Sequence, residues 1–68
     1  MIKVMSIKAN TQEKTAHVEL FADTKTEVTD DVAVSEIPVN YDIEMGSAVV
    51  TASGDVAFRK SDGTWNWL

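Results

Sequence analysis

Cysteine is absent from the chain, so neither a disulfide nor a thiolate metal site can staple it. The lack matters because 68 residues make one domain, residues 1–68, that buries only a modest share of its surface. Domains of this size usually lean on disulfides, metal or association. With the first removed, a small efficient core or self-association is left. No long apolar run occurs either, so no segment reads as a membrane span. The opening Met1-Ile2-Lys3-Val4-Met5-Ser6-Ile7-Lys8 is broken by lysines and has no h-region of a signal peptide. On these grounds the chain reads as soluble, made in the cytoplasm and independent of a membrane.

Basic residues are scarce. Six Lys and Arg stand against eleven Asp and Glu, a net charge of −5, which argues against a phosphate-neutralising surface and hence against nucleic-acid binding. The deficit is local. Residues 1 to 18 hold Lys3, Lys8 and Lys14 against Glu13; residues 45 to 68 balance Arg59 and Lys60 against Asp55 and Asp62. Between them Glu19, Asp23, Glu27, Asp30, Asp31, Glu36, Asp42 and Glu44 face only Lys25. This acidic middle reads first as a solvated region that maintains solubility. It could also orient the chain against a basic neighbour.

Histidine occurs once. His17 falls on the polar side of a strand, with no orienting partner or cleft in the sequence, so general acid–base catalysis has little to build on. The chain is not expected to be an enzyme. Asp30-Asp31 and Asp42-x-Glu44 lack the glycine of a calcium loop and read as acidic turns, so no metal or other cofactor is expected.

What is present is a β pattern. Ile2 to Lys8 is a strand of imperfect period: Ile2 and Val4 share a face, Met5 and Ile7 fall on the other. Both faces are covered, or a bulge reverses the face near Val4-Met5. Thr15 to Ala22 alternates cleanly, with Ala16, Val18, Leu20 and Ala22 on one side and Thr15, His17, Glu19 and Phe21 on the other. Phe21 is the apolar exception on the polar side, and marks a second apolar surface. Thr24-x-x-Glu27 is a capping box for at most one short helical turn. Val32-Ala33-Val34 and Tyr41 to Met45 are short strand candidates, separated by the single proline, Pro38, which belongs at an edge.

All three glycines lie in the last third. Ser53-Gly54 and Asp62-Gly63 divide it into three runs rich in β-branched and aromatic residues, a three-stranded meander. Two-residue loops pair Thr51 with Val56, Val49 with Phe58, Lys60 with Trp65 and Phe58 with Trp67. Val49, Thr51, Val56, Phe58, Trp65 and Trp67 then share one face, which becomes the expected core face, with the Lys60 methylenes along the Trp65 ring. The fold expected is all-β: a small antiparallel sheet, roll or barrel of five to seven short strands ending in that meander.

Trp65-x-Trp67 admits two readings. As core, the pair closes the sheet. As an aromatic platform, it would stack on sugars or quaternary ammonium groups of a cell wall. Phe21, Trp65 and Trp67 are thus the candidate residues for an interface or platform.

The stretch from Pro38 through Gly46-Ser47, the Thr51-x-x-Gly54 turn, Val56-Ala57-Phe58 and the closing Ser61-Asp62-Gly63-Thr64-Trp65 resembles small uncharacterised proteins encoded in phages and prophages of Gram-positive bacteria. Their genes often lie among head and tail structural genes. The likeness covers residues 38 to 68, with a looser echo at Leu20-Phe21-Ala22-Asp23. It implies a virion-structural or assembly-accessory role, with other phage structural proteins as partners; the small core and Phe21 on a polar face add ring-forming self-association as a further expectation. It also implies synthesis in the host cytoplasm, followed by incorporation into the virion if the role is structural rather than accessory. It carries no functional residues with it.

Overall fold

The computed structural model describes all residues, Met1–Leu68. Strands β1 (Ile2–Asn10), β2 (Thr15–Ala22), β3 (Asp42–Ile43), β4 (Ala48–Thr51), β5 (Val56–Arg59) and β6 (Trp65–Trp67) form one sheet, and Lys25–Glu27 makes a single 3₁₀ turn. The order is β1-β2-β4-β5-β6, with β3 on the same side of β2 as β4. The domain is all-β, and the sheet stays open, β1 and β6 being its edges.

The two ends of the sheet are antiparallel, as the alternating patterns imply, but the middle is not. β2 pairs in parallel with both β3 and β4. A parallel pair needs a crossover, and residues 23–41 supply it by passing over one face of the sheet. The crossover contributes Val28 to the core and packs Val32 and Ile37 against it. The other core residues are Ala16, Val18, Leu20, Ala22, Val49, Ala57 and Trp65, all from the same sheet face. The acidic middle is therefore the cover of the core as well as a solvated surface. Val32-Ala33-Val34 is not a strand; its backbone turns, with the Val32 N–H donating to the Thr29 carbonyl at 3.1 Å.

In β1 the register with β2 shifts between Val4 and Ser6, leaving Met5 as the extra residue. This bulge explains the broken period: Val4 opposes Leu20 on the core side, and beyond the bulge Ile7 opposes Val18 there. A second irregularity lies across β2. Ala16 pairs with Ile43 but Glu19 with Ala48, three steps on β2 against five opposite. The surplus would orphan a backbone donor, and the Ser47 hydroxyl replaces the missing carbonyl by accepting the Val18 N–H at 3.0 Å. Ser47 is fully buried. Ser47→Ala leaves that N–H buried without a partner and is expected to lower stability by about 1–3 kcal/mol in urea unfolding.

Both C-terminal turns differ from the two-residue loops read from the sequence. The Thr51 N–H bonds the Asp55 carbonyl (2.9 Å) and the Gly54 N–H bonds the Thr51 carbonyl (3.0 Å). The second turn repeats this, Lys60 N–H to Thr64 carbonyl (2.8 Å) and Gly63 N–H to Lys60 carbonyl (3.2 Å). Each is a three-residue loop whose glycine, at φ +92° or +85°, occupies the third position. The Asp62 carboxylate caps the second turn by accepting the Thr64 hydroxyl and N–H (2.7 and 3.1 Å), which holds its pKa below the usual value.

The extra loop residue slips each register by one. Val49 pairs with Ala57 instead of Phe58, and Ala57, not Phe58, pairs with Trp67. The two slips cancel across the middle strand, so Val49, Thr51, Trp65 and Trp67 keep the core side while β5 is reversed. Ala57 and Arg59 point inward, and Val56 and Phe58 point to the other face, where Phe58 is 43% exposed.

Candidate functional site

The two sheet faces differ in what covers them. On the core face, Trp65 is only 8% exposed. Its indole N–H donates to the Thr29 carbonyl at 3.0 Å, fastening the crossover to the last strand. The Arg59 guanidinium lies 5.1 Å from the Trp65 ring centroid and donates to the Asp30 carbonyl at 2.8 Å. Arg59, not Lys60, is the cation against Trp65, because the slipped register turns it inward. Trp67 is half-buried, with the Lys25 ammonium 5.0 Å from its ring centroid. Both tryptophans thus carry a cation from their own chain on a ring face.

Phe21 lies on the opposite face, half-buried, and no crossover passes over it. The pairings run one row across the sheet: Lys3 beside Phe21, Phe21 beside Val50, Val50 beside Val56. The Leu68 N–H bonds the Val56 carbonyl at 2.9 Å and extends the row. The next row holds Ser6, Glu19, Ala48, Phe58 and Asn66. Met5, pushed out by the bulge and 65% exposed, joins Phe21, Ala48 and Val50 around a shallow apolar depression of about 210 Å³. The result is an uncovered apolar surface built from β1, β2, β4 and β5. Sequence reasoning found Phe21 but assigned Val56 and Phe58 to the core. Only the third-position glycines, through the register they impose, reveal them as surface residues.

His17 lines an open polar depression at the β1–β2 tip with Lys8, Asn10, Gln12 and Glu44. The Glu44 carboxylate there accepts the Thr15 hydroxyl at 2.9 Å, and no hydrogen bond joins it to His17. No three His, Asp or Glu side chains converge. At the start of the crossover the Glu27 carboxylate accepts the Met1 amine and the N–H groups of Thr24 (3.2 Å) and Asp23 (2.9 Å). The amine first, and those backbone donors, lower its pKa.

The fold and this surface define a class: a small open mixed sheet with one covered and one bare face. No family model, curated protein or solved structure was found to match the chain.

Proposed function

We propose that the protein is a non-enzymatic structural or assembly-accessory component of a phage or prophage virion, working by protein–protein contact in the head or head–tail region. The observation that carries the contact reading is the bare face: Phe21, Val50, Val56 and Phe58 lie side by side with no segment of the chain over them. Contiguous apolar patches of this kind mark interaction surfaces. The likeness of residues 38 to 68 to phage-encoded proteins supports the virion setting. A sugar or cell-wall ligand stacking on Trp65 and Trp67 has less support, since Arg59 and Lys25 already lie over those rings.

The test is a titration of the purified chain against purified head and connector proteins of a Gram-positive phage. Binding is expected, and Phe21→Lys is expected to weaken it by about tenfold or more, as for a central interface residue. Tryptophan emission should stay unchanged in the variant, because both indoles belong to the other face. Absence of binding to every such protein, or binding indifferent to Phe21→Lys, overturns the proposal.

A further inference from the structure

We infer that the bare face seats a second copy of the chain, sheet against sheet, in a closed two-fold dimer. The inference rests on the contact reading above and names the occupant in the absence of a head or connector protein, which would compete with the second copy for the same face.

Three features favour a copy of the same chain. The first is size. The molecule measures 35 × 22 × 17 Å. Strand length and the number of strands place the two longer dimensions in the plane of the sheet. A face of that extent leaves room for the footprint of a standard interface, about 800 Å² per partner. The second is chemistry. The centre holds Phe21, Val50, Val56 and Phe58, while Lys3, Glu19 and Asn66 lie around them in the same two rows. An apolar centre with a polar rim is the anatomy of an interface. A rim carrying both signs can meet its own image across a two-fold axis, as an isologous contact requires.

The third is the distribution of charge. Glu19 is the only acid in those two rows, with Asp42 and Glu44 farther along the face near Lys8 and His17, whereas the crossover over the opposite face holds Asp23, Glu27, Asp30, Asp31 and Glu36. Stacking copies head to tail would press the apolar face onto this acidic layer, burying charge without a partner. Joining bare face to bare face puts the two acidic layers outside and farthest apart. The charge layout therefore selects the closed arrangement over an open stack. The product is two sheets about 10 Å apart, an ordinary sandwich interior.

The experiment is sedimentation equilibrium of the full chain from low to high micromolar concentration, with tryptophan emission recorded on the same samples. The wild type should rise from 7.5 kDa to twice that mass. Phe58→Lys should weaken dimerisation by about tenfold or more with emission unchanged, since Trp65 and Trp67 lie on the covered side. If Phe58→Lys loses the wild-type emission, Met5→Lys decides, because Met5 is an extra bulge residue that the core does not use. A wild type that remains at monomer mass overturns the dimer, yet leaves binding to head or connector proteins to its own titration. A dimer that survives the substitutions with fold intact also overturns the assignment, and points to pairing along the β1 edge.

Discussion

Trp65→Ala is expected to remove about 3–5 kcal/mol of stability, most of the roughly 3–10 kcal/mol that a domain of 68 residues possesses. The effect has two parts. The indole is almost fully buried, so its loss opens a large void under the crossover. Its N–H is also the bond that fastens Thr29 to β6. Trp65→Phe separates the parts, since it preserves much of the ring and discards the bond; its loss should be clearly smaller. Trp67→Ala provides the contrast. The sequence pattern makes Trp67 an equal partner of Trp65 in closing the sheet, but it is half-buried at the sheet edge, so the domain should remain folded without it. Urea unfolding followed by the far-UV signal ranks the three. If Trp67→Ala proved the most damaging, the assignment of Trp65 as the anchor would be wrong.

Leu20→Ala should have the second large effect, about 2–5 kcal/mol. Leu20 is the largest fully buried side chain, at the centre of β2, and β2 is the strand on which both halves of the sheet meet. Its neighbours are held by pairing on both sides, to Val4 in β1 and Val49 in β4, so they have little freedom to close the gap. A cost at the upper end of the range follows from that rigidity. A loss below about 1 kcal/mol by the same urea measurement would mean that the crossover collapses into the space.

Much of this architecture was readable from period-two patterning. The bounds of β2, the reversal near Met5, the short turn after Thr24 and the meander all follow from local alternation and turn residues. What local pattern could not supply was the position of glycine within a loop. Ser53-Gly54 and Asp62-Gly63 require positive φ under either loop length, yet two- and three-residue loops assign opposite faces to Val56 and Phe58. The agreement between the two expected registers was no safeguard, because each was displaced by one residue. The parallel β2–β4 pair was hidden for a different reason. Its partners are far apart in sequence, and the crossover's apolar residues, Val28, Val32 and Ile37, follow no strand or helix period. Phe21 was identified as a surface residue because its own strand alternates without interruption.

The parallel pair also governs how the chain can fold. The β1–β2 hairpin closes over Thr11–Lys14, and the meander closes over two three-residue loops, so both form from near neighbours. Joining them means bringing Glu19 to Ala48, which closes a long loop before any core contact compensates for it. Docking of the two pieces is therefore expected to be the slow step, which stopped-flow refolding would show as a single phase slowed by substitutions at the β2–β4 seam. Until it occurs, the inner edges of β2 and β4 are open to pairing with other chains. The loop that must close is the most acidic part of the sequence, so half-folded molecules repel one another during that interval. The charge that forms the outer layer of the native domain thus also protects the chain before the domain exists.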